Sequence, residues 1–319
     1  MKKIMIAMTM LAVMLVLAAC GDSNEKEEKG NETANNDAPV EYMEIKHELD
    51  DKPVKVKKNP ETVVVFDFGA LDTLDELGVD VAGVPQANVP NYLEKYSGEE
   101  YTNVGALKEP DLETIHAMKP DVIIISGRQS DMYKELSDIA PTVYVGIDYA
   151  DYMGSFTSNM EMLAEMFGKE DEMKAELADI DERIAQLKDN ADALDEKALI
   201  VLATEGKVSA YGPSSRFGII HDVFGFKAAD EKIEASTHGQ NITFEYILET
   251  NPDVLFVIDR DAAIGGEASA KDSIENDLVK KTKAYENDAI YYLDAEYWYL
   301  SGGGLLSLKE MIAEVEQAL

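Results

Sequence analysis

Arginine is scarce in this chain, and its placement is the first clue to chemistry. Of 29 lysine and arginine residues, only Arg128, Arg183, Arg216 and Arg260 are arginine. Arginine presents a planar fork of N–H donors that grips oxyanions, keeps its charge when partly buried and stacks on aromatic faces. Arg128 and Arg260 end two copies of one pattern. Residues 111–128 read DLETIHAMKPDVIIISGR, and residues 243–260 read TFEYILETNPDVLFVIDR. Glu113 falls on Glu245, Ile115 on Ile247, Pro120 on Pro252 and Asp121 on Asp253, each pair 132 positions apart without a gap. Arg216 sits in the turn-rich GPSSRFG of residues 212–218. Arg183 belongs to a charged stretch that reads as exposed helix. Three arginines in loops beside predicted strands fit a site for an anion. Local ion pairing is the competing explanation, with Asp131 for Arg128 and Asp259 or Asp261 for Arg260.

Aromatic residues supply the second ingredient. Tyr297-Trp298-Tyr299 contains the only tryptophan, and a loop of this kind can stack on a planar ligand. Trp298 and Tyr297 are expected at the ligand. His238, in STHGQ, is a candidate donor or an ordinary loop histidine. Gly302-Gly303-Gly304 precedes a predicted helix, where backbone N–H groups either cradle an anion or simply turn the chain. Other chemistries lack their residues. The four histidines, at 47, 116, 221 and 238, show no H-x-H and no HExxH, so a protein-built transition-metal site is not expected. There is no P-loop, no G-x-S-x-G and no nucleophile beside a recognisable base. The expectation is binding, with no catalytic residue and no cofactor.

The elements that must position these groups follow from the same patterns. Each repeat opens on a helix-capping residue, Asp111 or Thr243. A short helix follows and is closed by Pro-Asp. An apolar, largely β-branched strand comes next, with the arginine just past its C-terminal end, where open parallel sheets bind ligands. Two such halves imply two lobes facing one anionic ligand. Around them strands alternate with helices, which predicts largely parallel sheets. Tyr42–Val56 reads as a hairpin, Val63–Phe66 as a buried strand that breaks at Asp67 into a helix, and 198–203 with 207–211 as strands about a turn at Gly206. Between the halves, KEDEMKAELADIDERIAQLKDN places Met173, Leu177, Ile180, Ile184 and Leu187 at three- and four-residue spacing. That spacing predicts one helix with one buried stripe, joining the lobes.

The N-terminus is of another kind. Lys2 and Lys3 precede the apolar run Ile4–Leu17, which is short for a membrane span. It ends in Leu-Ala-Ala before Cys20, the only cysteine. Residues 21–40 are polar and read as a flexible tether. Residues 1–19 hold two lysines and no acid, so the remainder carries 27 basic against 63 acidic residues. That balance argues against nucleic acid and against electrostatic attachment to anionic lipid.

In combination these segments resemble a known family. The LAAC ending resembles the lipobox of bacterial lipoproteins, which implies cleavage before Cys20 and a diacylglycerol on its thiol. With VVVFDFGALDTLDELG, KPDVIIISGRQS, YGPSSRFGIIHDVFG, STHGQ, NPDVLFVIDR and YWYLSGGG, the chain resembles the siderophore-binding lipoproteins of Gram-positive iron-uptake ABC transporters, the petrobactin-type catecholate binders above all. The resemblance covers essentially the whole chain. It implies an α/β fold of two Rossmann-like lobes bridged by a single long α-helix, the helical-backbone periplasmic-binding-protein fold, with a ferric siderophore in the cleft. The implied organisation is a signal peptide (1–19), lipidated Cys20 and tether (20–40), N-terminal lobe (41–168), interlobe helix (169–192) and C-terminal lobe (193–319). The family's basic triad falls on Arg128, Arg216 and Arg260, with Lys108 as a further cleft position. Its permease-docking glutamates fall on Glu113 and Glu245. The siderophore would hold all the iron, and the protein would be a lipid-anchored monomer on the extracellular face of the cell membrane. Another iron chelate, haem or cobalamin on the same fold, or an enzyme acting on an anionic substrate, are the alternatives.

Overall fold

The computed structural model describes residues 40–266 and 270–319. The expected signal peptide, Cys20 and the tether up to residue 39 lie outside the described residues. In the first lobe the apolar runs build an all-parallel, five-stranded sheet. Its order is Thr102–Asn103, Gly83–Val84, Val63–Val65, Val122–Ile125, Thr142–Tyr144. Val63, Val65 and Ile124 face one core, while Val64, Ile123 and Ile125 face another. Both faces are covered, which is why these strands are apolar throughout and do not alternate. The helix Phe68–Glu76 begins where the Asp67 carboxylate accepts the Ala70 N–H at 2.8 Å. Tyr42–Ile45 and Val54–Lys57 form a separate antiparallel pair.

The second lobe has a mixed sheet, ordered Gln240–Ile242, Lys207–Tyr211, Lys197–Thr204, Val254–Asp259, Ile290–Leu293, with Lys227–Ala228 added beside Lys197–Thr204. Lys197–Thr204 and Lys207–Tyr211 are antiparallel. Their two-residue turn places Glu205 at φ 47° and Gly206 at φ 74°, the left-handed backbone that a tight hairpin requires. The repeat is structural in detail. Thr114 N–H donates to Asp111 at 3.1 Å, and Tyr246 N–H to Thr243 at 3.4 Å. The helices Leu112–Met118 and Phe244–Thr250 both end on a left-handed residue, Lys119 and Asn251. The Asp121 and Asp253 carboxylates then accept the N–H of Thr62 at 3.0 Å and of Lys197 at 3.1 Å. Each repeat strand runs parallel beside its lobe's leading strand, Val122 opposite Val63 and Val254 opposite Ala198.

The interlobe helix spans Glu170–Leu194 and buries Met173, Ile180, Leu187 and Ala191. Its 25 residues give a length of about 37 Å. The expected division at residue 192 is incomplete, because the chain crosses back. The C-terminal helix Leu305–Glu316, assigned to the second lobe by sequence order, packs on Phe68–Glu76 and on the interlobe helix. Leu305 N–H donates to Thr73 Oγ1 at 2.9 Å, and Ser307 N–H donates to the buried Asp72 carboxylate at 3.1 Å. Lys309 pairs with Glu176, and Arg183 with Glu316 at 3.2 Å. Asp72 and Thr73 therefore occupy the helix N-terminus after the triglycine turn, and of the two readings of that turn, anion cradle or chain turn, the second holds. Gly304 serves this packing, since a Cβ on it would run into the Asp72 carboxylate and the Gly69 carbonyl oxygen. Two loops also gain structure. Gly105–Ala106 pairs with Glu109–Pro110 as a small hairpin, and the aromatic run Glu296–Leu300 is one wide helical turn of π type.

Candidate ligand-binding cleft

Arg128 follows the first repeat strand in the short 3₁₀ segment Gly127–Met132. Gln129 fixes this turn. Its amide oxygen accepts the Ser126 N–H at 3.1 Å, and its Nε2 donates to the Leu107 carbonyl at 2.6 Å. That second bond ties the turn to the hairpin carrying Lys108. Arg260 opens the short helix Arg260–Ala263 after the second repeat strand, where Asp259 accepts the Ala262 N–H at 3.2 Å. Arg216 is carried by a loop whose Ser214 is left-handed, at φ 56°, and whose Ser214 N–H donates to Asp222 at 2.6 Å.

These three half-buried side chains converge on Tyr299. Arg128 Nη2 and Arg216 Nη2 donate to the Tyr299 carbonyl oxygen at 2.5 and 2.6 Å, and Arg128 Nη1 donates to the Leu300 carbonyl at 3.2 Å. Arg260 Nε donates to the Tyr299 hydroxyl at 2.9 Å. The guanidinium carbons of Arg216, Arg260 and Arg128 lie 4.3, 5.7 and 5.9 Å from the Tyr299 ring centroid, within cation–π reach. Among the described residues no carboxylate lies within 4.0 Å of these guanidinium nitrogens, so the ion pairs with Asp131, Asp259 or Asp261 do not form. The charges shape one another. Burial, and then the Arg216 charge, hold Arg128 below its ordinary range. The hydrogen bond that Arg260 donates to the Tyr299 hydroxyl raises Arg260. Burial alone would raise the Tyr299 phenol, but the Arg260 hydrogen bond and the three arginine charges bring it below its ordinary value of 10. The result is a positive pole whose donors rest on neutral oxygens.

This pole lies in a cleft of about 1390 Å³ that both lobes line. Lys108, His238 and Trp298 line it too. Trp298, however, is 2% exposed, and its Nε1 donates to Glu314 at 2.7 Å. It is a core residue, not a stacking platform. Tyr297 is absent from the cleft lining and packs against Tyr92, with ring centroids 4.7 Å apart. The ring that meets the arginines is Tyr299, which the sequence reading passed over. The only signal for it was membership of the same aromatic run. Asp67, in the cleft wall, was also missed, and burial pushes its carboxyl above the usual range. Glu113 and Glu245 are exposed in the first turns of the two repeat helices, outside the cleft lining. Among the described residues no group of histidine, cysteine and acidic side chains is arranged to hold a metal ion.

The chain is similar to several known binding proteins. The chain is 50% identical to the petrobactin-binding protein YclQ of Bacillus subtilis over 100% of its own length and 99% of that protein. The crystal structure of YclQ superposes with a TM-score of 0.85, at 54% identity, covering 87% of this chain and 98% of that one. The ferric-anguibactin-binding protein FatB of Vibrio anguillarum is 34% identical over 82% of this chain and 83% of its own. The catecholate-siderophore binding protein VctP of Vibrio cholerae has a TM-score of 0.81 at 35% identity, covering 87% of this chain and 100% of that one. The model for the periplasmic binding protein family matches residues 63–297. The chain belongs to the periplasmic binding protein family, whose members here are solute-binding proteins and not enzymes.

Proposed function

We propose that this protein captures an anionic ferric siderophore of the catecholate, petrobactin-like class and delivers it to an ABC importer. The observation that carries this reading is the convergence of Arg128, Arg216 and Arg260 on Tyr299, with no carboxylate partner among the described residues. Iron is cargo and is held entirely by the siderophore. The guanidinium groups oppose the negative charge of the complex, and the Tyr299 ring supplies aromatic surface to its catechols. The named binding functions of YclQ, FatB and VctP support the ligand class. A titration panel tests it. Ferric petrobactin should quench intrinsic tryptophan fluorescence at the lowest concentration, ahead of a ferric hydroxamate and of a phosphate ester. A hydroxamate or ester that bound more tightly would overturn the ligand class.

The cellular setting belongs to the same proposal. The protein acts as a monomer on the extracellular face, held by lipid on Cys20. Among the described residues no helix is long and apolar enough to cross a membrane. Glu113 and Glu245, one exposed acid per lobe at equivalent repeat positions, dock on basic residues of the permease. The double variant Glu113→Ala, Glu245→Ala should abolish siderophore uptake by cells and leave binding unchanged; normal uptake would refute the docking role.

A further inference from the structure

Gln129 is 1% exposed, and both ends of its amide are used. Its oxygen accepts the Ser126 N–H, and its Nε2 donates to the carbonyl of Leu107, 22 positions earlier. These partners fix the amide's orientation, because an N–H only donates and a carbonyl only accepts. The turn itself needs only the acceptor, and a glutamate commonly fills this place after a capping serine. The donor serves Leu107. That residue and Lys108 form the two-residue tip of the hairpin in which Gly105 faces Pro110 and Ala106 faces Glu109. Two residue pairs, one with a proline that has no N–H, do not hold a hairpin in place by themselves. Asp111 N–H closes its base on the Val104 carbonyl at 2.8 Å. The partly buried Leu107 side chain and the bond from Gln129 pin its tip. Lys108 lines the cleft with an exposed side chain, and among the described residues no carboxylate lies within 4.0 Å of its Nζ. The second lobe repeats the device. Asp261 stands 132 positions after Gln129, is 6% exposed and accepts the N–H of Glu205 at 2.6 Å, in the turn between Lys197–Thr204 and Lys207–Tyr211. In each lobe the residue after the repeat arginine is thus buried and fastened to a hairpin tip. Only the first tip carries a cation into the cleft.

We propose that Gln129 is a positioning residue that fastens the Lys108 backbone to the Arg128 turn, so that Lys108 adds a fourth cation to the arginine pole for an anionic ligand. The inference rests on the function proposed above. A lysine side chain is long and flexible, so its charge serves one place in the cleft only when its backbone is held. A double-mutant cycle on ferric petrobactin, read by tryptophan quenching at pH 8, tests the assignment. Lys108→Ala should weaken binding about three- to fivefold in the otherwise wild-type protein, the range of one exposed charge. In Gln129→Met, which keeps the side-chain length and loses the amide, the same change should cost less than about twofold. It should also cost less than about twofold in Gln129→Glu, whose carboxylate keeps the acceptor for Ser126 and loses the donor for Leu107. That variant keeps the cap and decides the matter should Gln129→Met not fold. A cost of Lys108→Ala that was equal in all backgrounds would overturn the assignment, because a merely structural Gln129 lowers affinity without changing that ratio. So would a Lys108→Ala variant that bound ferric petrobactin as tightly as wild type. A wild-type protein that did not bind ferric petrobactin would overturn the functional reading itself, and this inference with it.

Discussion

Tyr299 meets three arginines through two different groups. Its carbonyl oxygen takes Arg128 and Arg216, and its hydroxyl takes Arg260. A neutral oxygen restrains a guanidinium without cancelling its charge, so an arriving oxyanion gains the full charge-assisted contact. Such a contact is worth on the order of 1.5–3 kcal/mol. Arg216 lies closest over the Tyr299 ring. Arg216→Ala should therefore weaken ferric-siderophore binding by about tenfold or more, with Arg216→Lys intermediate because the charge survives and the planar fork does not. An unchanged dissociation constant for Arg216→Ala, read by tryptophan quenching, would remove the triad from the site. The arginines were legible because arginine is rare here and two of them repeat. The aromatic partner was not. Tyr297, Trp298 and Tyr299 are chemically alike in a sequence, and only the wide helical turn sends 297 to Tyr92, 298 to the core and 299 to the cleft.

At the scale of elements, the duplication was legible to the residue, since caps, left-handed ends and strand-heading aspartates all recur 132 positions apart. The second crossing was not. A C-terminal helix carries its apolar stripe whichever lobe it joins, and sequence order does not choose. Asp72 makes the choice visible, since its carboxylate takes the N–H groups of Leu306 and Ser307 across the seam. Burial pushes its carboxyl up to about 7, against those bonds and that of Tyr92. A carboxyl raised by folding holds its proton more tightly in the native state. Its contribution is complete below about pH 4 and is lost as pH rises through 7. Relative to Asp72→Asn, wild type should lose on the order of 4 kcal/mol of stability across that window. Urea unfolding at several pH values checks this; parallel profiles for the two proteins would mean that Asp72 titrates as an ordinary exposed acid.

At the scale of the whole molecule, a cationic cleft sits in an acidic body. Beyond residue 19 the chain carries 27 basic and 63 acidic residues. The two fields have different ranges. The arginine pole acts within the cleft, where half-buried charges are screened weakly, while the net charge acts at a distance that salt controls. The Debye length is about 30 Å at 0.01 M salt and about 10 Å at 0.1 M. At low salt an anionic ferric complex meets repulsion before it reaches the arginines; at physiological salt it does not. Association should therefore quicken as salt rises, the reverse of ordinary steering between opposite charges. Dissociation should change less, because it is governed by the close contacts. Stopped-flow quenching between 0.01 and 0.15 M sodium chloride separates the two rates. An association rate that fell with salt would show that the three arginines dominate the field even at long range, and that the acidic surface has no hold on capture.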